Sequence, residues 1–181
     1  IYQVSAEIYL DSLYAGSFIM ISIVQLISIP FILNIKIPLP LKTSSGGRKV
    51  SEIFVNRSMI RAVISAAGCY GIMSFLMTAT PISMHIIHNL SLEKTGLVIQ
   101  FHVLSMFLPS LITGSLIKKL GYSKMMYLGV WFYILTIIMS FFDPTFITYL
   151  IGLIFLGIGW NFLFVTGTSL LVTTYTPEEK F

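Results

Sequence analysis

The sequence predicts an all-α integral membrane protein, a polytopic bundle of five transmembrane helices. Composition is the first reason. Hydrophobic residues make up 56% of the 181-residue chain and charged residues only 10%, whereas about a quarter of an ordinary soluble domain is charged. The second reason is that the apolar residues lie in runs of about 20, the length that one helix needs to cross a bilayer. These features exclude a disordered chain, a disulfide-rich secreted module and a typical cytosolic enzyme.

Five apolar runs define the predicted helices, and a helix satisfies its backbone hydrogen bonds within one segment, as a bilayer requires. The runs cover residues 14–35, 59–82, 95–117, 125–142 and 145–174. The last run is long and rich in glycine, so we expect it to be tilted or to end at the membrane interface.

The basic residues predict the orientation of the bundle. Of the 11 Lys and Arg residues, all but Lys94 fall in tails and connections on one side of the predicted membrane. Positive charge collects on the cytoplasmic side of membrane proteins. We therefore expect the N-terminus outside and the C-terminus in the cytoplasm.

The longest polar segment, residues 36–58, reads as a cytoplasmic linker. It contains two prolines and a Ser-Ser-Gly-Gly run, which break helices and add flexibility. Within it, residues 50–56 could form a short amphipathic helix at the membrane surface. The predicted parts are an outside tail with one helix (1–35), the linker (36–58) and an incomplete bundle of four helices (59–181).

Four short stretches stand out from the apolar background. The turn between the third and fourth runs is a tight basic loop with flanking glycines, built from Gly114, Lys118, Lys119, Gly121 and Lys124. The others read MTATP at 77–81, VIQFHVLSMFLPS at 98–110 and GIGWNFLFV at 157–165.

Together and in this order, these stretches resemble a bacterial subgroup of the major facilitator superfamily. The family loop has an acidic residue where this chain has Lys118, so the charge pair of that loop is not carried over. The resemblance implies helices six to ten of a twelve-helix transporter of the bacterial inner membrane, with residues 36–58 as the central linker. The remaining helices would lie outside this chain.

Five side chains within the spans are candidates for contact with a transported solute: Thr78, Gln100, His102, Trp160 and Asn161. A polar group in hydrocarbon is costly, so it usually faces the bundle interior or a water-filled cavity. Trp160 offers a flat surface and one N–H. Asn161 offers a donor and an acceptor at mid-span.

Two of the candidates also have a structural alternative. Gln100 could instead bridge two helices, and His102 could hold a neutral imidazole against a backbone carbonyl rather than exchange a proton. The two residues are two apart, so they point about 200° from each other on a helix. Small residues suggest close packing of helices instead of chemistry: Gly157, Gly159 and Gly167 in the fifth run, and Ala62, Ala66, Ala67 and Gly71 in the second.

The residue content argues against several other functions. Cys69 is alone, and His85 with His88 makes at most a weak metal pair. We see no Walker loop, catalytic triad or zinc motif, so we expect no enzyme activity, no cofactor and no bound metal. The basic residues lie between apolar runs and form no single patch, which argues against nucleic acid as a partner.

The leading hypothesis is a secondary transporter of a small solute that works by alternating access and is represented by a partial chain. Its partners would be the lipid bilayer, the solute, a proton as a candidate coupling ion, and the remainder of the transporter. The alternative is a membrane scaffold or assembly protein, or the product of a decayed transporter gene.

Overall fold

The structure, a computed structural model, describes residues 15–35, 48–176 and 179, without the side chains of Ser17 and Val50. The chain divides into two units, residues 1–43 and 44–181. The tail before residue 15 and most of the predicted linker lie outside the described residues.

Helices and the turns that join them make up the described backbone. They are α1 (Ala15–Leu33), α2 (Val50–Phe54), α3 (Arg57–Ile82), α4 (Leu92–Phe107), α5 (Ser110–Leu120), α6 (Tyr122–Met139) and α7 (Phe146–Val172), with a π-helical turn at Ser83–Ile87 after α3. The all-helical fold predicted from composition is confirmed.

The first unit is described through α1, an apolar helix of 19 residues that contains Pro30. The side chain of Asn34 donates to the Pro30 carbonyl at 2.8 Å at the end of this helix. The apolar part with described side chains, Phe18–Leu33, is shorter than a full crossing requires.

Polar caps set the starts of three helices in the second unit. The side chains of Asn56, Ser91 and Thr145 accept from the backbone N–H of Ser58, Lys94 and Thr148. Such residues satisfy N–H groups that have no partner inside the helix. The short helix α2 falls within the segment where the sequence predicts one.

The third predicted span, 95–117, is not one helix, and this is a correction. It consists of α4 and α5, which meet at Leu108–Pro109 with a bend of 42°. Pro109 has no N–H to donate and its ring crowds the preceding turn, which accounts for the bend at this position.

Three helices of the second unit are long and apolar enough to cross a bilayer: α3 with its π turn (31 residues), α6 (18 residues) and α7 (27 residues). The bent pair α4–α5, taken together as one broken span, meets the same criteria of length and apolarity. The first predicted run, residues 14–35, is described from residue 15 onward and forms α1.

α7 is the central helix of the second unit, and α3, α4 and α6 pack around it. In its most apolar stretch 61% of the residues are buried, against 11% for α3 and 17% for α6. The outer helices therefore present most of their apolar surface outward, as helices in a lipid environment can.

Glycine in α7 allows this close packing. A Cβ at Gly157 would collide with Ser105 and lie 2.8 Å from the His102 carbonyl of α4. A Cβ at Gly167 would lie 2.9 Å from the Ala62 carbonyl of α3 and 3.2 Å from the Ala66 side chain. A larger residue at Gly157 would push α7 away from α4, and one at Gly167 would push α7 away from α3.

The small-residue seam predicted on α3 is therefore correct only in part. Ala62 is fully buried and Ala66 half-buried where α7 crosses. Ala67 and Gly71, in contrast, are exposed. A Cβ at Gly71 would meet nothing within 4 Å, so these two residues take no part in the seam.

An ion pair holds the segment before α2 against the end of α7. The Arg48 guanidinium donates to both carboxylate oxygens of Glu179, at 2.6 and 2.8 Å, and to the Thr174 carbonyl at 3.0 Å. The backbone N–H of Thr176 donates to the same carboxylate at 2.8 Å. Glu179 exposes only 2% of its side chain. We call this group the Arg48–Glu179 staple.

Candidate functional site

The five candidate residues divide between buried and exposed positions. His102 and Asn161 are fully buried and Trp160 is 7% exposed, whereas Thr78 and Gln100 are exposed. The structure brings His102 and Asn161 to the packing surface of α4 and α7. It does not gather all five candidates into one pocket.

Asn161 binds both halves of the broken span. Its side-chain N–H groups donate to the Met106 carbonyl of α4 at 2.7 Å and to the Ser110 hydroxyl of α5 at 2.6 Å. Its oxygen lies 2.7 Å from the Thr113 hydroxyl, which also lies 2.8 Å from the Pro109 carbonyl. The hydroxyl has one hydrogen and donates to one of these oxygens at a time. We call this group the amide clamp.

The amide clamp satisfies a group that the helix break frees. A bend interrupts the ladder of backbone hydrogen bonds, and each unsatisfied group in hydrocarbon costs several kcal/mol. Asn161 replaces a missing donor at Met106 and ties α5 to α7. In this conformation both donors and the acceptor of its amide are engaged, which matches the interhelical role better than contact with a solute.

His102 connects the same two helices through a single nitrogen. Its Nδ1 lies 2.8 Å from the Leu153 carbonyl of α7. A carbonyl only accepts, so Nδ1 carries the hydrogen and Nε2 is an acceptor. Nε2 is buried without a hydrogen-bond partner. The geometry is that of a neutral imidazole held by a backbone carbonyl, with one lone pair left available.

Trp160 lies in a row of aromatic rings that runs from α7 to α3. Its ring stacks on Phe164 with 4.7 Å between centroids and 9° between planes. Phe164 in turn lies 6.4 Å from Tyr70, at a tilt of 42°. The indole N–H of Trp160 is buried without a partner, although such a group usually has one. We call these three residues the aromatic row.

Thr78 and Gln100 stand apart from these contacts. The Thr78 hydroxyl donates to the Ser74 carbonyl of its own helix at 2.9 Å. The side chain of Gln100 makes no hydrogen bond with a described residue. It points away from the α4–α7 contact where His102 is buried, as the 200° separation predicts.

The predicted basic loop is a turn of a single residue. Gly121 ends α5 and begins α6 with a φ of 80°, a conformation that favours glycine. Lys118 and Lys119 lie in the last turn of α5, where positive charge complements the helix dipole. Gly114 is exposed, and a Cβ there would meet nothing within 4 Å.

A cavity of about 490 Å³ opens between α3 with its π turn, α6 and α7. Its lining is mostly apolar and includes Ser83 and Tyr149, whose oxygens are 2.7 Å apart. None of the five candidates lines it. The His85 ring bonds to the Leu90 carbonyl at 2.9 Å, while His88 packs against Tyr149. The two histidines therefore have separate partners.

The sequence reading missed the residues that complete these arrangements. Ser110 and Thr113 follow Pro109 by one and four positions, and hydroxyls within one turn of a proline in a span are a signal for a satisfied break. Phe164 follows Trp160 by four residues, the spacing at which two side chains of a helix meet. The Arg48–Glu179 pair leaves no comparable signal, because its members are 131 residues apart.

The chain is similar to bacterial transport proteins. It is 34% identical over 174 residues to the riboflavin transporter RfnT of Brucella anthropi, a match that covers 94% of this chain and 44% of that protein. It is 40% identical over 103 residues to the MFS-type transporter YdeG of Bacillus subtilis, covering 56% of this chain and 24% of that protein. The MFS-type transporter YddS of the same organism is 36% identical over 112 residues, with coverage of 60% and 25%.

The apolar helical bundle and these matches indicate a multi-pass protein of the bacterial inner membrane whose relatives are named as transporters. Two of these relatives are named MFS-type transporters, which agrees with the resemblance of the four sequence stretches to the major facilitator superfamily and is consistent with a partial chain of that family. The chain spans less than half the length of the relatives it matches. No protein-family profile and no solved structure matches it.

Proposed function

We propose that this chain is part of a secondary transporter that moves a small planar aromatic solute, such as a flavin, by alternating access. Similarity to three proteins named as transporters supports the transport activity, and the aromatic row supports the class of solute. Two rings already stack face to face in this row, and stacking is how proteins hold flat heteroaromatic rings. The relative named as a riboflavin transporter moves a solute of this kind.

The unpartnered indole N–H is the observation that carries the choice of Trp160 as the contact residue. A buried donor without a partner costs free energy, which a solute acceptor would recover. Tyr70, at the other end of the row, is 53% exposed. The row thus extends from a buried donor to an exposed ring, which suits a solute that is flat and has ring carbonyl or nitrogen acceptors.

Gln100 and Thr78 remain candidates on the exposed faces of α4 and α3. Asn161 is assigned instead to holding the broken span, because its amide is fully engaged. The helix numbering six to ten, the linker at residues 36–58 and the domain limits remain predictions.

Proton coupling also remains a prediction, with His102 as the candidate carrier. No carboxylate lies deep in the described spans, so a buried imidazole with a free Nε2 is the group suited to accept a proton there. The prediction is that a pH gradient drives uptake and that His102→Phe uncouples it.

The test of the function is uptake of labelled riboflavin by the full-length transporter that carries these residues, reconstituted in liposomes. Aromatic pairs contribute about 0.5–1.5 kcal/mol, so Trp160→Ala should raise KM about 2- to 13-fold. Trp160→Phe keeps a ring but removes the N–H and should fall between Trp160→Ala and the wild type. Trp131→Phe is the matched control, because Trp131 is 54% exposed on α6.

Two results would count against the proposal, in different ways. Uptake with an unchanged KM in Trp160→Ala would show that the aromatic row does not bind the solute. Absence of riboflavin uptake by well-expressed protein would rule out riboflavin as the transported solute. The 181-residue chain alone should not transport, since it spans less than half of its relatives; uptake by this chain alone would favour a small oligomeric transporter.

A further inference from the structure

A second pocket, of about 440 Å³, lies at the end of the bundle where α5 and α6 meet. This is the end that the basic residues predict to face the cytoplasm. Three regions line it: the start of α3, the Gly121 turn with the start of α6, and the end of α7. Its residues are Ser58, Arg61, Leu120, Gly121, Tyr122, Ser123, Lys124, Met126 and Leu170. We call it the basic pocket.

The two cations of the basic pocket, Arg61 and Lys124, have no anionic partner in the described part of the chain. The Arg61 side chain donates to the Arg57 carbonyl at 3.3 Å and to the Ser58 hydroxyl at 3.2 Å. A guanidinium has five N–H donors, so three remain. Lys124 makes no side-chain hydrogen bond or ion pair with a described residue. No carboxylate lines the pocket among the residues described.

The loop at the edge of the pocket supplies positive charge and no acid. Lys118 stands where the family pattern has an acidic residue, so the loop from Gly114 to Lys124 holds three lysines and no acid. The free N–H groups at the start of α6 add to the positive potential, because Gly121 has no side chain to cap them.

The remaining walls of the pocket are apolar. Leu170 is buried beneath it, and Leu120 and Met126 line its side. A cationic rim above an apolar floor at a membrane interface matches a phospholipid, which has an anionic phosphate above acyl chains. Basic pockets between transmembrane helices on the cytoplasmic side bind such head groups.

We propose that the basic pocket binds the phosphate of an anionic phospholipid of the inner leaflet, with Arg61 and Lys124 as its charged ligands. Arg61 presents several N–H donors in a planar fork and contacts phosphate oxygens, as guanidinium groups do. Lys124 contributes a second positive charge from the opposite wall. The Ser58 and Ser123 hydroxyls supply donors for the glycerol head group.

The test uses the full-length transporter in bicelles that contain phosphatidylglycerol and phosphatidylcholine, and native mass spectrometry counts the lipids retained on the protein. Wild-type protein should retain phosphatidylglycerol in preference to phosphatidylcholine. Loss of one charged hydrogen bond corresponds to about a tenfold lower retention, which is the expected effect of Arg61→Gln and of Lys124→Gln.

Lys119→Gln is the matched control, because it removes the same charge just outside the pocket. It should leave retention unchanged, and equal losses in all three variants would overturn the proposal in favour of general surface attraction. The double variant Arg61→Lys with Lys124→Arg keeps both charges and should retain the lipid, which separates loss of a ligand from loss of folding. If inorganic phosphate at millimolar concentration displaces phosphatidylglycerol, the ligand is a soluble phosphate and the lipid assignment is wrong.

Discussion

Replacing Asn161 with leucine removes the amide clamp while keeping a side chain of similar volume at a fully buried position. The variant loses the contacts to Met106, Ser110 and Thr113. Hydrogen bonds between membrane helices average about 0.6 kcal/mol and reach about 1.7. Three such bonds predict that the free energy of unfolding falls by about 2 kcal/mol.

Thr166 supplies a control in the same helix with the opposite expectation. It is also fully buried, but its hydroxyl has no hydrogen-bond partner. Thr166→Val removes this unsatisfied hydroxyl and changes the shape little. Because burying an unpaired hydroxyl costs about 1–3 kcal/mol, the variant should be as stable as the wild type or more stable.

The assay is reversible unfolding of the purified protein in mixed micelles with an increasing fraction of dodecyl sulfate, followed by far-UV circular dichroism. The two variants should shift the midpoint in opposite directions, or only Asn161→Leu should shift it. An Asn161→Leu variant as stable as the wild type, with solute affinity lost, would refute the clamp and return Asn161 to the transport site. Equal destabilisation by both variants would also refute the reasoning, because it would make burial alone the cause.

Three further predictions test other parts of the structure. Gly157→Ala forces a methyl group against α4 and should lower the free energy of unfolding by about 1–3 kcal/mol in the same assay. Gly68→Ala meets open space and should be neutral or slightly stabilising. Similar losses of stability in both variants would contradict the close contact at Gly157. Hydrogen bonding from Arg48 lowers the pKa of Glu179 from 4.5 to about 2. The staple therefore stabilises the fold above pH 4.5, and this stabilisation is lost as the pH falls towards 2. The difference in Tm between wild type and Glu179→Gln should shrink across that interval, and a constant difference would contradict the prediction. A reporter fused at Asn89 should indicate the outside and one at the C-terminus the cytoplasm, and a cytoplasmic signal from position 89 would reverse the topology.

The fold class and the helix positions could be predicted because they depend on local composition. A run of apolar residues needs no information about its neighbours to form a helix in a bilayer. The predicted limits of the second and fifth spans differ from α3 and α7 by at most two residues at each end. The third predicted span was wrong only in being one continuous helix. Hydropathy is high on both sides of Pro109, and the prediction gave hydropathy more weight than the proline.

The candidate site was harder to predict, because polarity marks a residue as costly without naming its partner. Asn161 and His102 were selected for their polarity, and the structure gives them partners on other helices at Met106 and Leu153. Sequence distance hides these contacts, since each joins residues more than 50 positions apart. For His102, the alternative of a neutral imidazole held by a backbone carbonyl matches the geometry in the structure. For Asn161, the number of hydrogen bonds that its side chain makes could come only from the folded chain.

The turn at Gly121 has a mechanical consequence for the whole bundle. A single residue joins α5 to α6, so this connection has no slack. α5 is also fastened to the central helix by the amide clamp at its other end, which makes it a short rigid arm held at two points. A tilt of α7 would therefore move α5 with it, and the one-residue connection at Gly121 would transmit that movement to the start of α6.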